Sequence, residues 1–182
     1  MKNPWKTLKR KVIYENAWIK VEDHKVLTPA KKEGVYGTVH FKNLAIGIIP
    51  LTENRETFLV GQYRYPIDQY SWEIPEGGGQ LDTPPLESAK RELKEETGLV
   101  AQKWTELIHI HTSNSVSDEL GIIFLATELQ QFEAEPEDLE DLTIKKLPFD
   151  QVFEMVLEGE ITDSLTVAGI LKAKYYLDHK LI

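Results

Sequence analysis

The sequence contains no cysteine. A disulfide framework, a Cys-ligated zinc or iron–sulfur site and a cysteine nucleophile are therefore excluded, and any metal must be held by oxygen or histidine. Long hydrophobic runs are missing as well, since no stretch approaches the roughly 18 apolar residues of a membrane span. The basic start, Met1-Lys2-Asn3-Pro4-Trp5-Lys6, has no apolar run behind it and does not read as a secretory signal. A soluble chain with a cytoplasmic home and no membrane partner is the expectation. Positive charge is scarce: 21 Lys and Arg stand against 30 Asp and Glu, a formal net charge of −9. That balance argues against a nucleic-acid backbone as partner. An acidic chain can still bind a small diphosphate when divalent cations invert the local sign.

At 182 residues the chain fits one ordinary domain with at most a small appendage. Residues 11–15, 18–26 and 35–41 read as short strands with imperfect alternation, a meander that needs something to lie on. The run 44–50, LAIGIIP, is apolar throughout, as in a strand buried on both faces, and the pattern pairs it with 57–65 as a central hairpin. After Trp72-Glu73-Ile74-Pro75 comes a triple-glycine loop, Gly77-Gly78-Gly79. A helix over 84–97 follows, with Thr83 as expected N-cap and Gly98 as C′ residue. Strands return at 104–110 and 121–129. An acidic loop at 133–141 precedes a strand at 142–147, and helices over 149–157 and 163–179 end the chain. This order suggests an α/β domain, a mixed β-sheet sandwiched between α-helices. Residues 1–42 form a small N-terminal antiparallel β layer, and 43–182 the main domain.

On the predicted helix, Glu92, Glu95 and Glu96 stand at i, i+3 and i+4, so three carboxylates share one side within about one turn. Leu86, Ala89 and Leu93 form a separate apolar stripe. Such a helix also occurs as a solvated acidic face, with Arg91 and Lys94 as local partners and Glu87 to Arg91 as an i, i+4 pair. Entry from a glycine-rich segment directly after a strand distinguishes this one, because backbone can approach a ligand there. A hard divalent cation suits all-oxygen ligands. The five histidines show no cluster at metal-ligand spacing, and His109 and His111, alternating on a strand, read as structural.

Gly77, Thr83, Arg91-Glu92-Leu93, Glu95-Glu96 and Gly98-Leu99 resemble the Nudix box. Every fixed position of that motif matches except Thr83, where the family has a glutamate. The segments Gln62-Tyr63-Arg64-Tyr65-Pro66 and Trp72-Glu73-Ile74-Pro75-Glu76-Gly77-Gly78 are similar to the branch that hydrolyses ADP-ribose and nucleoside diphosphate sugars, as is a strand layer ahead of the main domain. The resemblance implies the Nudix fold and a pyrophosphohydrolase that yields a nucleoside monophosphate and a sugar phosphate. It implies Mg2+, with Mn2+ able to replace it, held by Glu92, Glu95, Glu96 and the backbone carbonyl of Glu76. Arg64 is the expected diphosphate clamp, and Glu73, Gly77 and Gly78 are expected around the substrate. Tyr14 and Trp18, with Trp5, are candidates to stack on a base. The catalytic base is expected in the loop 133–141, Glu140 first, then Glu137, with Glu95 the next choice. The branch also implies a homodimer built through residues 1–42. Two other readings stay open: a Nudix hydrolase of another nucleotide (a nucleoside triphosphate, dinucleoside polyphosphate or capped RNA) and a Nudix-fold module that binds a nucleotide without cutting it.

Overall fold

The computed structural model describes residues 2–132 and 142–181. Contacts divide the chain into two compact units, Met1–Asn43 with His111–Glu119, and Leu44–Ile110 with Leu120–Ile182.

The first unit is an antiparallel meander of β1 (Lys6–Glu15), β2 (Ile19–Leu27) and β3 (Glu33–Phe41), with β2 in the middle. The segment His111–Glu119 joins it at β3: Val39 N–H donates to the Val116 carbonyl at 2.8 Å, and the Tyr36 hydroxyl to the Ser115 carbonyl at 2.6 Å. β1 is exposed along its whole length, whereas β2 buries Glu22, His24 and Val26 on one face. The period of two that buries Val26 buries two ionisable residues beside it.

The second unit holds two sheets. One has the order β10 (Thr143–Pro148), β5 (Glu56–Arg64), β6 (Gln69–Glu73), and the other β7 (Glu76–Gln80), β4 (Asn43–Pro50), β9 (Leu120–Gln131), β8 (Leu99–His111). Strands β4 and β9 run parallel. Alternation along them sends Ile46, Ile48, Ile122 and Phe124 to one side, against Ala89 and Leu93 of α1 (Pro85–Thr97). Ile49, Ile123 and Leu125 go to the other side, against Val152 of α2 (Phe149–Leu157) and Leu165, Ile170 and Ala173 of α3 (Ser164–Asp178). The expected layering, sheet between helices, is what the core shows. Each fully buried aliphatic contributes roughly 1.5–3 kcal/mol.

Three expectations are corrected. The strands β4 and β5 do not form a hairpin. They lie in different sheets, joined by an isolated bridge between Leu51 and Thr57, because a strand apolar on both faces takes a central place between β7 and β9. The triple glycine is not a loop but the body of β7. Thr83 is not the N-cap: the two prolines move the helix start to Pro85, Pro84 caps it without a side-chain bond, and the Thr83 hydroxyl donates to Gln80 Oε1 at 3.4 Å. Gly98, expected as the C′ residue, closes the helix as its C-cap in a left-handed conformation, φ 70°, with its N–H on the Lys94 carbonyl. Among the described residues no helix is long and apolar enough to cross a membrane.

Candidate active site

Helix α1 lies against β7, and this contact builds the first half of the site. Glu92 and Glu96 are buried and Glu95 half-buried, although all three are carboxylates. Glu96 Oε2 accepts the Glu76 backbone N–H at 3.0 Å. A Cβ on Gly77 would overlap the Glu92 carboxylate, so only glycine lets the strand approach so closely. Arg91 pairs with Glu92, with Glu95 at 2.5 Å and with the Gly78 carbonyl at 3.0 Å. Burial weighs against its charge, yet Glu92 and Glu95 hold its pKa above the usual arginine value. The expected Glu87–Arg91 pair is replaced by Glu87–Lys90, since Arg91 is drawn to the next turn.

The second half gathers at the ends of β5 and β6. Arg64 donates through Nε to both Glu73 oxygens at 3.0 Å, and through a terminal nitrogen to Glu73 at 2.5 Å and Glu76 Oε1 at 2.8 Å. Glu73 is only 2% exposed, so a fixed bidentate partner is what allows its charge inside. Burial opposes the Arg64 charge too, but the Glu73 hydrogen bond and the charges of Glu76 and Asp163 raise its pKa further. Burial pushes the Glu76 carboxyl well up, and the nearby Asp163 and Glu73 add to this. The second Glu76 oxygen, Oε2, is buried without a hydrogen-bond partner among the described residues.

Asp163 completes the arrangement, and sequence reading placed it only as a helix start. It caps α3: Oδ2 accepts the Thr166 N–H at 2.7 Å and the Thr166 hydroxyl at 2.8 Å. That hydroxyl also accepts the Ile74 N–H at 2.9 Å, which ties the cap to the bend between β6 and β7. One oxygen each from Glu73, Glu76 and Asp163 lies within 4.8 Å of the others. The capping pattern Asp163-Ser164-Leu165-Thr166 was the available signal, but it carried no hint of these neighbours.

The structure thus brings Glu92, Glu95, Glu96, Gly77, Gly78 and Glu76 together along α1 and β7, and Arg64, Glu73 and Glu76 at the neighbouring strand ends. Tyr14 and Trp18 belong to the first unit, 54% and 66% exposed, and Trp5 packs edge-on against Tyr36 there. Glu137 and Glu140 lie outside the described residues. His109 pairs with Glu106 on the surface.

An all-oxygen donor set, two buried carboxylates on one helix and a glycine opening the backbone beside them fit a hard divalent cation. The unpartnered Glu76 oxygen points the same way.

A carboxylate helix lying on a glycine strand, in a sheet covered by helices on both sides, defines a class, and the chain belongs to it: the NUDIX domain family, whose model matches residues 41–165. Residues 5–39 match the nucleoside diphosphate sugar hydrolase N-terminal domain. Among relatives, an ADP-ribose pyrophosphatase of Mycobacterium tuberculosis is 37% identical over 133 residues, which is 70% of this chain and 63% of that protein. The chain thus spans less than two thirds of that relative's length. An ADP-ribose pyrophosphatase of Bacillus subtilis is 31% identical over 128 residues, 69% of each chain. The crystal structure of an ADP compounds hydrolase shares the fold with a TM-score of 0.87 at 19% identity, covering 97% of this chain and 95% of that one.

Proposed function

We propose that the chain is a Mg2+-dependent pyrophosphohydrolase that cleaves nucleoside diphosphate sugars, ADP-ribose or nucleoside diphosphate hexoses, into a nucleoside monophosphate and a sugar phosphate. The observation that carries the reading is the convergence of Glu92 and Glu96 on the β7 backbone at Glu76 and Gly77. The names of the 37% and 31% identical relatives support the substrate class.

In this reading Glu92, Glu95, Glu96 and the Glu76 carbonyl hold Mg2+, or Mn2+ in its place. Bound there, the cation offsets the charge of the diphosphate and lowers the pKa of a water. Arg91 braces Glu92 and Glu95 against mutual repulsion. Arg64, kept charged and fixed in orientation by Glu73 and Glu76, clamps the diphosphate oxygens. Gly77 and Gly78 give the substrate access to backbone, and Tyr14 and Trp18 offer stacking surfaces for the base. The proton of the attacking water goes to Glu140, with Glu137 and then Glu95 as alternatives.

The same reading takes residues 1–42 as a layer shared between two copies of the chain, 43–182 as the hydrolase domain, and the cytoplasm as the site of action. Support for the homodimer comes from β1, which leaves Leu8, Val12, Ile13 and Tyr14 exposed. Exposed apolar side chains along an edge strand offer a second copy a surface to cover. Light scattering is expected to give twice the 20.9 kDa chain mass, and a monomer at micromolar concentration overturns the arrangement.

The deciding experiment is a hydrolysis panel with Mg2+ over ADP-ribose, GDP-mannose, ADP-glucose, nucleoside triphosphates and dinucleoside polyphosphates. A sugar diphosphate giving the highest kcat/KM, with monophosphate and sugar phosphate as products, is the expected result. A preference for triphosphates or polyphosphates sinks the substrate assignment, and no turnover of any member sinks the enzyme.

A further inference from the structure

The sequence shows no histidines at metal-ligand spacing, yet the fold brings two of them together. The β2–β3 register sets Glu22 opposite Thr38, His24 opposite Tyr36 and His40 opposite Lys20. Residues paired across a ladder, and those two apart along a strand, share a face. Glu22, His24, Thr38 and His40 therefore meet on one side of the first unit. Glu22 and His24 are 7% and 9% exposed, and the His40 side chain is 33% exposed.

The donor atoms converge on a point. His24 Nε2 lies 2.9 Å and His40 Nε2 3.3 Å from the same oxygen, Glu22 Oε2. Thr38 Oγ1 is 3.5 Å from the first nitrogen and 3.1 Å from the second. Ligand atoms around a tetrahedral zinc at about 2.0–2.1 Å are about 3.3 Å apart; the two separations from Glu22 Oε2 are of that size, and all three donor atoms lie within 4.8 Å of one another. The other nitrogen of His40 is already committed: Nδ1 lies 2.6 Å from Asp118 Oδ2, and Asp118 Oδ1 accepts the Phe41 N–H at 2.9 Å. A carboxylate on Nδ1 fixes the tautomer that leaves the Nε2 lone pair available, the arrangement found behind metal-bound histidines. Lys20 holds Glu22 Oε1 at 3.1 Å, which leaves Oε2 as the single ligating oxygen.

We propose that Glu22, His24 and His40 form a binding site for a borderline divalent transition metal of the zinc class, positioned by Asp118 and separate from the magnesium carboxylates. Two imidazoles and one carboxylate select such an ion over magnesium, which takes oxygen ligands. Three protein donors leave a fourth position beside Thr38 Oγ1. The ion staples β2 to β3 and, through Asp118, fixes the segment His111–Glu119 onto them.

The test uses the full chain, stripped with a chelator and kept in millimolar Mg2+ so that the carboxylate site is occupied. Calorimetric titration with Zn2+ is expected to give one equivalent bound per chain with a rise in Tm. His24→Gln and His40→Asn are expected to abolish that equivalent while Mg2+-dependent hydrolysis stays at the parent rate. Asp118→Asn is expected to weaken Zn2+ by about 10–100-fold, the cost of losing a carboxylate behind a ligating histidine. Should either histidine variant fail to fold, X-ray absorption on the zinc-loaded parent decides, because two imidazoles give a distinct outer-shell scattering pattern. No zinc retained in the presence of Mg2+, unchanged stoichiometry in both variants, or an absorption spectrum without imidazole overturns the site and leaves the hydrolase reading untouched.

Discussion

The Glu76 backbone N–H donates to the Glu96 carboxylate at 3.0 Å, so the strand and the helix of the site are tied by a bond between one residue's main chain and the other's side chain. Glu96→Gln keeps an oxygen acceptor for that bond and the same volume while removing the charge. Folding and Tm are expected to survive, and turnover at saturating Mg2+ to fall by several orders of magnitude. Hydrolysis near the parent rate would show that Glu96 is not a metal ligand.

Gly77→Ala places a methyl group where the Glu92 carboxylate stands. Either β7 or the side chain must shift, and the geometry of the carboxylates goes with it. A displacement on the order of 1 Å at such a site costs about a hundredfold in rate. Circular dichroism is expected to show an intact fold beside that loss in kcat/KM, and an activity within a few-fold of the parent contradicts the close-approach argument.

Thr166→Val removes a hydroxyl that accepts the Ile74 N–H and donates to Asp163, at a position with no solvent exposure. Valine fills the same space but leaves the Ile74 donor buried and unpaired, at a cost of about 1–3 kcal/mol. For a chain of this size each kcal/mol lowers Tm by about 2–4 °C. A calorimetric scan that does not move would show that the bond between α3 and the β6–β7 bend is dispensable.

Glu140→Gln tests the proposed base. A residue that acts only in the transition state lowers kcat with little effect on KM or on the Mg2+ dependence. If kcat stays within a few-fold, Glu137 and Glu95 are the next variants to make.

The carboxylate helix was legible because its signals are local: three acids within a turn, an apolar stripe of Leu86, Ala89 and Leu93, and a glycine where a left-handed residue ends the helix. Strands with alternating side chains were legible for the same reason, but β7, three of whose five residues are glycine, read as a loop. Pairing was not legible. The parallel partner of β4 is β9, which lies far along the chain, and nothing near residues 44–50 names it. Asp163 looked like an ordinary helix start because its other neighbours, Glu73 and Glu76, come from strands at a distance. His24 and His40 looked unrelated because their meeting depends on the β2–β3 register, which a one-residue slip would undo.

The residues that meet along the helix and the glycine strand, Glu76, Gly77, Gly78, Arg91, Glu92, Glu95 and Glu96, come from two successive elements, β7 and α1. Arg64, Glu73 and Asp163 come from three separate places, the ends of β5 and β6 and the start of α3. The first half is therefore carried by one unbroken stretch of chain, 76–97, whereas the half around Arg64 depends on three separate segments meeting. Glu76 is the joint between them, with its main chain in one and its side chain in the other. A substitution of the Glu76 side chain is therefore expected to disturb the Arg64 side while leaving the main-chain bond to Glu96 in place.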